Sequence, residues 1–151
     1  MIFIQKILPI VVEWVANQEA YILKHGVPLT EDQKIDAYLV GVREIEKIRI
    51  WHGPEPPIKI NDQLKLASEM VGLSTTSSTG ISFRYAIFMK KDHWNTRRLL
   101  IHELTHTMQY ERLGGISEFL NQYLNECLEL GYPNGFLEKE AREMETKICE
   151  K

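Results

Sequence analysis

Residues 101–106 read Ile-His-Glu-Leu-Thr-His, and the spacing of the two histidines constrains the fold more than any other feature of the chain. Side chains four residues apart share a face on an α-helix, one turn apart. His102 and His106 are therefore expected on one helix face, where both imidazoles can turn a nitrogen toward one metal ion. Leu100, Leu104 and Met108 form an apolar stripe on the other side. The helix is expected from about Asn95 or Thr96 to Arg112, stopped by the Gly114-Gly115 pair. Glu103 sits at the edge of the histidine face, where it can reach a water at the metal without being a ligand, as a general base must.

The remaining pattern predicts a mainly helical α+β domain with a small sheet. Apolar residues at helical steps run from about Ile10 to His25, and Gly26 ends them. A second helix starts at Thr30, with Gln33 completing a capping box, carries Ile35, Tyr38 and Leu39 on one face and ends near Gly41. Residues 42–52 fit a strand only loosely, and Gly53 to Pro57 form a rigid loop. Asn61 caps a short helix through Leu64, Ala67 and Val71, stopped at Gly72, and a loop over 74–80 follows. Residues 81–91, ISFRYAIFMKK, alternate as a single strand, with Ile81, Phe83, Tyr85, Ile87 and Met89 on one side. Two further helices are expected over Ser117 to Leu130 and from Phe136 to the C-terminus.

The 151 residues, 44% apolar and 26% charged, suit one domain over 1–151 and argue against a disordered tail or a coiled-coil rod. A net charge of −3 offers no bulk basic field for nucleic acid. Two cysteines, Cys127 and Cys149, are too few for a disulfide scaffold and suit a reducing compartment, so a cytoplasmic location is expected. Pro9 and Glu13 interrupt the apolar run Ile7–Val15, which reads as a helix docked on the domain rather than a membrane contact. The oligomeric state is not fixed by the sequence.

A hydrolytic zinc site normally has three protein ligands and an open position. A third histidine six residues past His106 is absent: Gln109 and Arg112 stand where the extended H-E-x-x-H-x-x-G-x-x-H pattern needs glycine and histidine, which excludes a metzincin arrangement. The candidates left are acidic: Glu126 after Asn125, Glu138 and Glu140. Geometry favours Glu138, because the Gly131–Gly135 turn returns the chain toward the histidines and Glu138 lies in the first turn of the last helix. Small Ala141 permits close helix approach there. Cys127 is expected to pack as a small hydrophobe and Cys149 to fray; His25, His52 and His93 read as surface histidines.

Glu138-Lys139-Glu140-Ala141, behind the H-E-x-x-H helix, resembles the E-x-x-A pattern of the gluzincin metallopeptidases, whose third ligand is a glutamate on a later helix. Arg142 departs from that pattern, which continues with an acid or amide that supports a ligand from behind. The run from His102 to Ala141 is similar to a family of small, uncharacterised bacterial zincin-like proteins, over about residues 80–145, with a weaker echo in HGVPLTEDQ. The resemblance implies a zincin-like fold and a zinc-dependent metallopeptidase acting on a peptide or protein substrate. Zn2+ would be held by His102, His106 and Glu138, with Glu103 as base. It also implies an edge strand before the metal helix, the place of ISFRYAIFMKK, to which a substrate peptide adds. Tyr110, Tyr123 and Tyr132 are candidates to stabilise an oxyanion, though core or rim packing explains a tyrosine equally. The alternative is a non-catalytic metal-binding or protein-interaction domain that keeps the fold.

Overall fold

The computed structural model describes residues 2–72, 79–90 and 96–150. Among these, six α-helices surround a small four-stranded mixed sheet, a mainly helical α+β architecture as the patterning predicts. Helix α1 spans Ile2–His25 and runs through Pro9 instead of starting after it. An internal proline removes a helix hydrogen bond and costs about 3 kcal/mol. Ile4 and Ile7 offset it by packing on α3 (Asp62–Met70) and α5 (Ile116–Leu130), since full burial of each such side chain contributes ~1.5–3 kcal/mol. The amphipathic segment is thus docked within the domain. No helix among the described residues is long and apolar enough to cross a membrane.

Helix α2 (Glu31–Val40) has the expected capping box: Gln33 N donates to Thr30 Oγ1, and Thr30 N donates to Gln33 Oε1. Its orientation differs from the expected one. Asp36, Ala37 and Val40 face inward, and Ile35, Tyr38 and Leu39 are exposed. The cause lies outside the helix, in a two-pronged bond from Arg97 to the Asp36 carboxylate at 3.0 and 3.1 Å. Asn61 caps α3 as expected, accepting from Leu64 N.

The sheet runs in the order β1 (Val27–Pro28), β2 (Arg49–Gly53), β4 (Ala86–Lys90), β3 (Gly80–Phe83). Strands β2 and β4 are parallel, and the outer pairs are antiparallel. The single strand expected over 81–91 is in fact a hairpin that folds back at Arg84-Tyr85, with Phe83 opposite Ala86. No glycine or asparagine marks this turn; Arg84 itself takes φ 71°, a conformation costly for a long side chain. Glu19 of α1 holds it there. The Glu19 carboxylate accepts from Arg84 Nε and Nη2 at 2.8 and 2.7 Å and from Tyr85 N at 3.0 Å.

Strand β4 alternates between two cores. Ile87 and Met89 join Leu100, Ile101 and Leu104, while Ala86 and Phe88 join Val15, Ile22 and Phe119. The first group seats helix α4 (Thr96–Leu113), which also holds the hairpin: Tyr110 Oη donates to Ser82 O, and Thr107 Oγ1 donates to Arg84 O. The edge strand and the histidine helix are therefore one rigid unit. Replacing Glu19 with Ala leaves Arg84 strained and half-buried without its partner. The expected loss is about 2–4 kcal/mol of stability, read as a lower urea midpoint; an unchanged midpoint would mean that the turn holds without Glu19.

Candidate metal centre

Helix α4 presents His102 and His106 on one face, as their spacing requires, and buries Leu100 and Leu104 on the other. The last helix, α6 (Phe136–Cys149), lies across that face and docks through Leu137, Ala141, Met144 and Ile148. Gly135 begins α6 and has no side chain to cap it. Glu126 of α5 does so instead, its Oε1 accepting from Leu137 N at 2.9 Å. A Cβ on Gly135 would stand 2.9 Å from Glu126 Cβ, so glycine is what allows α5 and α6 to approach this closely.

Glu138 arrives between the two histidines. Its Oε1 lies 2.9 Å from His102 Nε2 and its Oε2 3.1 Å from His106 Nε2. Ligand atoms from the three side chains all lie within 4.8 Å of one another. Glu126 and Glu140 are not part of this group. Glu126 caps α6, and Glu140 accepts two bonds from Arg112, at 2.8 and 2.7 Å, and another from Gln109.

The remaining atoms of the three side chains are all engaged. His102 Nδ1 is bonded to Glu145 Oε2, and His106 Nδ1 meets Gln109 Oε1 at 2.8 Å. Gln109 is itself fixed through its amide, which donates to Leu137 O and Glu140 Oε1. Tyr123 Oη donates to Glu138 Oε2 at 2.6 Å. Phe119 and Tyr123 wall His106 edge-on, with centroids 5.9 Å away. Of the three tyrosines singled out by sequence, Tyr110 is buried with its hydroxyl on Ser82 O, Tyr123 supports Glu138, and Tyr132 is half exposed.

Charge follows from this packing. Burial alone would push the Glu138 carboxyl up, but hydrogen bonds from both histidines prevail and hold it well below the usual carboxylate range. Burial opposes the charge on His102 and His106 too, and their bonds to Glu138, with Glu145 adding to His102, raise both. Glu103 behaves in the opposite way. Its burial pushes the carboxyl up, against the pull of the two histidines. The edge strand reaches this carboxylate at Gly80, where a Cβ would stand 3.1 Å from Glu103 Oε2 and 3.0 Å from Leu99 Cδ1.

Two imidazole nitrogens and one carboxylate, each oriented from behind, are a donor set that zinc accepts. Ligand atoms about 2.0–2.1 Å from a tetrahedral ion stand roughly 3.3 Å apart; here one oxygen of Glu138 stands 2.9 Å from His102 Nε2 and the other 3.1 Å from His106 Nε2, in a group whose donor atoms all lie within 4.8 Å of one another. Sequence reasoning missed Glu145 and Gln109. Glu145 lies seven residues after Glu138, two turns along the same face; for Gln109 the signal was its place three residues past His106. His25 and His52 are exposed, His93 lies outside the described residues, and Cys127 is buried as expected. Cys149, expected to fray, instead packs against the core beside Met144. The chain matches no family model, no curated protein and no solved structure.

These placements separate the three acids. Glu138→Ala is expected to abolish zinc retention, measured as zinc per chain after reconstitution and removal of loose metal. Glu126→Ala and Glu140→Ala are expected to retain zinc, with Glu126→Ala costing about 1 kcal/mol for the lost cap. Zinc lost from Glu126→Ala and kept by Glu138→Ala would reverse the assignment.

Proposed function

We propose that this chain is a zinc-dependent metallopeptidase of zincin type, cutting peptide bonds with His102, His106 and Glu138 as metal ligands and Glu103 as general base. The observation that carries the reading is the convergence of the three donors, from two helices, within 4.8 Å of one another. The buried Glu103 follows His102 directly on α4, and Gly80 of the edge strand comes up against its carboxylate. Bound zinc would polarise the scissile carbonyl and acidify an attacking water.

The chain's own residues supply the rest. Glu103 takes the proton of the attacking water on its carboxylate and passes it to the leaving amine, a role its raised affinity for protons favours. Glu145 and Gln109 hold the two imidazoles, and Tyr123 holds Glu138, so the donors keep their places while Glu103 changes charge. Strand β3 is pinned to α4 at Ser82 and the turn after it at Arg84, and its Gly80 end, bare of a side chain, is where an extended peptide can pair closest to Glu103. The unpaired thiols Cys127 and Cys149 suit a reducing, cytoplasmic setting.

A second reading, a non-catalytic metal-binding domain, is favoured by the low exposure of the donors: the side chains of His106 and Glu138 are each 7% accessible. Glu103→Gln distinguishes the two. Wild type and variant, loaded with equal zinc, are incubated with a peptide library digested from denatured protein, and new termini are counted by mass spectrometry. The peptidase reading expects wild-type cleavage to fall about 10²–10⁴-fold in the variant with zinc content unchanged. Identical libraries after both treatments would support the non-catalytic domain instead.

A further inference from the structure

We propose that Glu145 is a positioning residue of the metal centre, fixing His102 with its proton on Nδ1 and its Nε2 lone pair free for a metal. This rests on the metal reading above and concerns a residue outside the three donors. The geometry is specific. Residues 138 and 145 are two helical turns apart, so both carboxylates leave α6 on nearly one line, about 10 Å apart along the axis. Ala141, between them on that face and fully buried, contributes only a methyl group and leaves room for a ring. The His102 imidazole occupies that room, with Glu138 at Nε2 and Glu145 at Nδ1. Arg142, one turn after Glu138, is turned away and donates to Pro133 O.

Glu145 is itself fixed. Arg98, one turn before His102 on α4, donates from Nε to Glu145 Oε1 at 3.0 Å, and the Glu145 side chain is 15% accessible. The carboxylate thus has one oxygen for the clamp between helices and the other for the imidazole. His106 has only a neutral amide in the equivalent place. A carboxylate behind an imidazole makes the far nitrogen a stronger donor than an amide does, so Glu145 makes His102 the stronger of the two nitrogen ligands.

The test compares wild type, Glu145→Ala, Glu145→Gln and Arg98→Gln. Zinc affinity is read by chelator competition and donor geometry by the absorption spectrum of the cobalt-loaded chain. Positioning predicts about a 10–100-fold loss of zinc affinity in Glu145→Ala. It also predicts a smaller loss in Glu145→Gln, which still accepts from Nδ1–H without the charge, and a displaced cobalt spectrum in both. Arg98→Gln breaks the clamp and leaves the imidazole bond, so it should keep the wild-type spectrum and near-wild-type affinity. Two outcomes overturn the proposal: wild-type affinity in both Glu145 variants, or equal losses in Arg98→Gln and Glu145→Gln, which would make Glu145 a helix clamp only. Should Glu145→Ala fail to fold, the isosteric Gln variant decides. A wild-type chain that takes up neither zinc nor cobalt would overturn the metal reading itself, and this proposal with it.

Discussion

A carboxylate taken out of water costs several kcal/mol unless hydrogen bonds replace its hydration, and the second half of this chain is arranged around one such group. Glu138 is 6% exposed and is bonded from three directions, by His102 and His106 of α4 and by Tyr123 of α5. Apolar contact is non-directional and by itself leaves α6, with Leu137, Ala141, Met144 and Ile148 along one stripe, some freedom to slide or roll on α4. The buried acid removes that freedom. Three helices are keyed to one carboxylate, and the site inherits its precision from that requirement.

Most elements were legible because their signals are local. The Thr30 and Asn61 caps, the Gly41 and Gly72 stops and the histidine helix all follow from neighbours within a turn. The elements that were misread depend on distant partners. Ile35, Tyr38 and Leu39 look like a buried face, but Arg97 turns Asp36 inward from sixty-one residues away. Arg84-Tyr85 carries no turn chemistry, and Glu19, sixty-five residues upstream, supplies what the turn lacks. The site divides in the same way. The histidines and Glu103 are a local pattern, and Glu138 was reachable from chain direction. Glu145 and Gln109 emerged only once α6 was seen lying on α4, since neither spacing has meaning until the helices meet.

Protons can serve the charge of this cluster as a metal would. Contacts with Glu138 and the charge of Glu103 raise the proton affinity of both histidines against the burial that opposes it, and Glu145 adds to His102. Two imidazolium protons and one divalent cation carry the same charge. Under the metal reading, uptake exchanges one for the other with little change in the local field. The same carboxylates that would hold the ligands for a metal thus keep the cluster paired without one.

Strand β4 also bears on the order in which the chain can fold. It is the last of the described strands in sequence, yet it lies between β2 and β3 and fills both cores. Until residue 90 has been synthesised, β2 has only the two-residue β1 to pair with, and Ile48 and Ile50 have no sheet to close over them. Parallel pairing across the intervening α3 also sets a long loop to be closed before any contact rewards it. A ribosome-bound N-terminal half is therefore a sticky fragment rather than a subdomain, and commitment to the native topology waits for the hairpin that Glu19 bends.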